Sequence, residues 1–169
     1  MNHKSALVIV GALSGLLVAL ALLLAPGRSI APVQADPIVR YVAPAGSCAG
    51  GGPSCYSTIQ DAVDAANPGD EIRIATGVYT DVNVRPRMDI TTTGFFTQVV
   101  YLSKTLTLRG GYTTTNWITP DLAANPTVLD AQEQGRVMYI TGDISATVEG
   151  LRLTRGNGSG PGFYGGGGI

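Results

Sequence analysis

The chain has 169 residues, with 23 glycines and 10 prolines but no collagen-like period. Its 11 basic and 12 acidic residues leave a net charge of −1, and Arg85-Pro86-Arg87, the only basic doublet, reads as a solvated loop rather than a phosphate-binding patch. The sole histidine is His3, so residues 36–169 carry no Ser-His-Asp or Cys-His nucleophile system and no His-ligated metal site.

Residues 1–35 read as an export segment. Lys4 and the amino terminus give a small positive flank, and residues 6–25 form a charge-free apolar run. Val33-Gln34-Ala35 fits signal-peptidase cleavage before Asp36. The run is also long enough for an uncleaved membrane anchor. In both cases Lys4 keeps the N-terminal end inside and residues 36 onward are exported, to an extracytoplasmic, secreted or cell-surface location. This part keeps nine basic against twelve acidic residues, a formal charge of −3, and is long enough for one modest domain.

Residues 36–56 form an extended lead-in that holds both cysteines, Cys48 and Cys55, with a Gly-rich stretch between them. Two thiols with no other nearby ligand make a poor metal site. In an oxidising compartment they are expected to form a disulfide just ahead of the first helix.

The segment Ser57–Thr80 is the most informative. Ser57 and Gln60 have the spacing of a capping box, and Ile59, Ala62, Val63 and Ala66 give a narrow apolar helical stripe. Asn67-Pro68-Gly69 stops the helix. Ile72 and Ile74 then alternate with Glu71 and Arg73, the period of a half-buried strand, before a turn at Gly77. Helix, short strand and turn in this order suit the covered N-terminal end of a right-handed parallel β-helix.

Beyond the helix, short β-branched or aromatic runs recur at 99–102, 127–129, 137–141 and 147–149, each bounded by Gly, Asn, Asp or Pro. Ile72-Arg73-Ile74 through Gly77 echoes Leu151-Arg152-Leu153 through Gly156, and Leu106-Thr107-Leu108-Arg109-Gly110 is a shorter version. The separation of Leu106 and Leu151 suggests two turns of a solenoid with roughly 20–25 residues per turn. Ile72, Ile74, Leu106, Leu108, Val137, Leu151 and Leu153 are expected to share one apolar interior, sealed at its N-terminal end by Ala62 and Val63. Residues 81–97 and 112–126 read as polar insertions. Their aromatics, Phe95, Phe96 and Trp117, either anchor the loops or mark a binding face.

With those residues in view, the chain resembles the N-terminal part of pectin lyase-like right-handed parallel β-helix proteins. The resemblance rests on Thr58-Ile59-Gln60-Asp61-Ala62-Val63, Pro68-Gly69-Asp70-Glu71-Ile72, Gly77-Val78-Tyr79-Thr80, Leu106 to Tyr112, Val128-Leu129-Asp130-Ala131 and Val148 to Thr154. It implies an all-β solenoid with a short N-terminal capping helix, residues 57–169 forming the cap and first coils. Gly166-Gly167-Gly168-Ile169 is similar to the repeat of polymorphic outer-membrane-type surface proteins, though in a single copy with Gly168 where alanine is usual. The sequence ends where another strand is due, so the expectation is an N-terminal portion of a longer protein, whose last coil would pair with further coils or another chain.

Catalytic chemistry is not legible. Asp61 and Asp64 read as a polar helix face. Asp130, Glu133, Asp143 and Glu149 lie in or near turns and could supply oxygens to Ca²⁺, but without the dense spacing of a calcium loop. The polygalacturonase-like and pectate lyase-like blocks of the resembled family are missing, and Arg152 and Arg155 lack an acidic cluster beside them. No catalytic, cofactor-binding or metal residue is assigned; Cys48 and Cys55 are the only site residues. Two function classes follow. One is a non-catalytic exported solenoid that binds polysaccharide or a cell-surface glycan, or mediates adhesion. The other is the N-terminal part of a polysaccharide lyase or glycoside hydrolase whose active site lies beyond residue 169.

Overall fold

The computed structural model describes residues 36–52, 54–86 and 94–158. The chain divides into two units, Met1–Ala35 and Asp36–Ile169, and all described residues belong to the second. The apolar run 6–25, Arg87 and the glycine tail 165–169 lie outside the described residues.

The unit is mostly β, with one short α-helix and mainly parallel sheets. In chain order it contains β1 (Val39–Val42), β2 (Cys55–Tyr56), α1 (Ile59–Ala65), β3 (Glu71–Ala75), β4 (Gly77–Tyr79) and β5 (Asn83–Pro86). There follow β6 (Phe95–Leu102), β7 (Thr107–Tyr112), β8 (Thr127–Asp130), β9 (Arg136–Ile140), β10 (Thr147–Glu149) and β11 (Leu151–Thr154). Sheet A runs β10-β7-β3-β1-β2, sheet B β11-β8-β4 and sheet C β5-β6-β9. From β3 onward the chain visits A, B, C, A, B, C, A and B. All pairings are parallel except β5 with β6.

Register decides which side chains meet. In sheet A, Ile72 lies beside Leu108 and Leu108 beside Val148, so period-two alternation stacks aliphatics from successive strands on one face. Ile72, Ile74, Leu106, Leu108 and Val137 are fully buried, together with Val100, Leu102, Leu129 and Met138. Ala62 and Val63 of α1 belong to the same cluster, as expected. Leu151 and Leu153 are only half-buried, packed against this cluster on β11 at the edge of sheet B.

Four sequence expectations need correcting. Thr58, not Ser57, caps α1: its Oγ1 accepts from the Asp61 N–H at 3.1 Å, while Gln60 turns its side chain toward β6. Residues 81–97 are not one polar loop, because β5 and the start of β6 lie within them as an antiparallel pair. Arg85, read as solvated, sits on β5 and ion-pairs with Asp64. The repeat echo is not a structural equivalence either. Ile72-Arg73-Ile74 lies in sheet A, whereas Leu151-Arg152-Leu153 lies in sheet B beside Thr127, Val128 and Leu129. Returns to the same sheet are uneven: those from Glu71 to Thr107 and from Thr107 to Thr147 are longer than the expected turn, whereas that from Thr127 to Leu151 matches it, since loops of unequal length intervene.

The N-terminal end carries a buried ion pair. Arg40 occupies an inward position of β1, level with Ile72, and its Nε and Nη2 donate to Asp70 Oδ2 at 3.3 and 3.2 Å. Asp70 also accepts from the Ile38 and Asn67 N–H groups, both at 2.9 Å. Burial works to raise its pKa, but these two backbone bonds and the Arg40 guanidinium prevail and lower it. Lys104 Nζ donates to the carbonyls of Val63, Asp64 and Ala66, which satisfies the open C-terminal end of α1.

Candidate functional site

The solvent face of sheet A carries a registered row: Tyr41 beside Arg73, Arg73 beside Arg109, and Arg109 beside Glu149. Parallel pairing puts same-face side chains of neighbouring strands side by side, so these charges meet across strands. Arg73 Nε donates to Glu71 Oε1 at 2.9 Å, and Arg109 Nε to Glu149 Oε2 at 2.7 Å. Arg109 Nη1 also lies 3.7 Å from Glu71 Oε1. The hydrogen bond to Glu71 raises the Arg73 pKa, and that to Glu149 raises the Arg109 pKa. Both guanidinium groups are thus fixed as cations facing carboxylates.

The segment 113–126 arches over this face. Trp117 is its anchor, 5 % exposed, edge-on to Tyr41 at 5.0 Å and stacked on Tyr112 at 6.1 Å between centroids. Its Nε1 donates to the Ala49 carbonyl at 3.3 Å, and its own carbonyl accepts from Arg73 Nη1. Asn116 and Asp121 turn the segment by accepting successive backbone N–H groups through Oδ1. The Asp121 N–H then donates to the Gly111 carbonyl at 2.8 Å and brings Leu122 over the strand ends.

Glycine makes the seat. A Cβ at Gly111 or Gly150 would stand 2.5 Å from Leu122 Cδ2, and both residues have positive φ, 90° and 67°. Between segment and sheet lies a cleft of about 390 Å³. Sheet A contributes Arg73, Arg109, Tyr112 and Glu149 to its lining, and the segment contributes Ile118, Pro120 and Leu122. Ile118 is 85 % exposed and Leu122 52 %, so the rim presents aliphatic surface to solvent. The site joins a mixed-charge pair to an apolar wall, an arrangement for holding a ligand that is polar on one face and apolar on another. Its lining holds no Ser, Thr, Cys or His side chain, and Glu149 is its carboxylate.

Cys48 and Cys55 are bonded as a disulfide, with Cα atoms 5.8 Å apart. The other acids that the sequence singled out do not converge. Asp130 binds Arg155, whose hydrogen bond lowers the Asp130 pKa, and Glu149 binds Arg109. Asp64 is held by Gln60 and Arg85. Among the described residues no group of three or more His, Cys, Asp or Glu side chains could hold a metal ion. Arg152 and Arg155 are both exposed, and Arg155 also pairs with Asp130. Sequence reasoning marked residues 112–126 and Trp117 but missed the Arg109–Glu149 pair. Its signal was the shared parity of Arg109 and Glu149 on strands whose register was not yet known.

Compared with known protein families, curated proteins and solved structures, the chain matches none.

Proposed function

We propose that this chain is an exported right-handed parallel β-helix protein, akin to the pectin lyase-like group, that binds a carbohydrate without turning it over. The solenoid reading draws support from the repeated A, B, C visiting order and from the helix packed at the β1 side of the aliphatic stack. The disulfide suits an oxidising compartment. The observation that carries the binding role is the cleft on sheet A, where a hydrogen-bonding ion pair faces exposed aliphatic side chains.

A glycan array probed with the full chain, followed by titration of the hits, tests the reading. The expected result is retention of one or more saccharides with no release of reducing ends or unsaturated products. Turnover would move the protein to the lyase or hydrolase class. Failure to bind any saccharide would remove the binding role.

A further inference from the structure

We propose that the sheet A cleft selects a neutral, hydroxyl-rich saccharide over an acidic one; this rests on the carbohydrate-binding reading above. Charge balance is the first argument. Arg73 and Arg109 are the cations of the cleft, and each already faces a carboxylate, Glu71 or Glu149. An incoming sugar carboxylate would have to approach Arg109 while Glu149 and Glu71 stand 2.7 and 3.7 Å from its guanidinium nitrogens. Like-charge repulsion from these two acids offsets the attraction to the arginine.

The second argument is hydrogen-bonding capacity. Arg109 commits Nε to Glu149, and its guanidinium carries further N–H donors, while the Glu149 carboxylate has lone pairs beyond the one it gives to Arg109. A donor and an acceptor are therefore held side by side. Neighbouring hydroxyls of a sugar match that pattern, one accepting from Arg109 and the other donating to Glu149, with no net charge transferred into the cleft. Opposite them, Ile118 and Leu122 offer aliphatic surface to the C–H face of a sugar ring, surface that is otherwise left in water.

Calorimetric titration of the full chain tests the proposal, with cellohexaose and mannohexaose as neutral probes and hexagalacturonate as the acidic one. A neutral probe should bind at least about tenfold more tightly than the acidic one. Ile118→Ser changes an exposed side chain and should weaken neutral binding by about five- to tenfold, with circular dichroism unchanged. Glu149→Gln should shift preference toward the acidic probe, because it removes the carboxylate that opposes it. Equal or tighter binding of hexagalacturonate by the unmodified chain overturns neutral selectivity while leaving carbohydrate binding intact. Neutral binding that survives both substitutions overturns the placement in this cleft. No binding of any probe overturns the selectivity and counts against carbohydrate binding itself.

Discussion

The side-chain amide of Gln60 pairs with the backbone of Tyr101 much as a neighbouring strand would. Its Oε1 accepts from the Tyr101 N–H at 2.7 Å, and its Nε2 approaches the Tyr101 carbonyl at 3.4 Å. Asn83 Nδ2 serves the Val99 carbonyl at 2.9 Å, two residues earlier on β6. Together with β5, these amides occupy the edge of β6 that β9 does not cover, so α1 closes a sheet edge as well as an apolar end. An open parallel edge invites pairing with another chain, and burying it unpaired would leave backbone groups unsatisfied.

Gln60→Ala should therefore cost more than an ordinary helix-surface change, about 1–3 kcal/mol, because the Tyr101 N–H loses its partner in a site that is largely dry. Urea unfolding measures this. A loss within about 0.5 kcal/mol, the range of neutral surface substitutions, would show that the edge needs no closure.

The Arg40–Asp70 pair gives a pH dependence with a defined sign. Asp70 has a lowered pKa in the folded state, so its contribution is fully present above its unfolded value of about pH 4 and is lost as pH falls through the folded value. Asp70→Asn should lower the unfolding midpoint at neutral pH, and its gap to the parent should shrink below about pH 4. A gap independent of pH would mean that the carboxylate charge is not what Arg40, Ile38 and Asn67 stabilise. Arg40→Met should be severe at neutral pH, about 3–5 kcal/mol, since it leaves a buried carboxylate without its cation.

Truncations in the aliphatic stack should grade with burial. Leu108→Ala, at a fully buried position flanked on both sides in sheet A, is expected to cost about 2–5 kcal/mol. Leu153→Ala, on half-buried β11, should cost less. Chemical denaturation of the two variants reads the difference, and equal losses would contradict the assigned register.

Reduction of the disulfide should be felt at the cleft. Trp117 donates to the Ala49 carbonyl inside the loop closed by Cys48 and Cys55, and its own carbonyl holds Arg73. The unreduced protein should show no free thiol. Reduction should lower stability by about 2–3 kcal/mol in the loop-entropy picture and shift Trp117 emission to the red as the indole gains water. Unchanged fluorescence after complete reduction would show that the Trp117 anchor does not depend on the disulfide.

Local chemistry determined a large share of this protein. The helix stop at Asn67-Pro68-Gly69, the alternation in Ile72 and Ile74, the short strands around Leu106, Val137 and Thr147, and the Cys48–Cys55 pairing were all readable, because each depends on near neighbours in sequence or on the chain having just two cysteines. Only the tertiary structure decided the rest. Nothing local to Arg40 announces Asp70, and nothing in Arg109-Gly110-Gly111 announces Glu149 and Leu122. Gln60 looked like half of a capping box until β6 arrived beside it and took its amide. Parallel pairing explains the division. It joins residues far apart in sequence through loops of unequal length, so a one-residue slip turns a strand over, and similar strings such as Ile72-Arg73-Ile74 and Leu151-Arg152-Leu153 can end in different sheets.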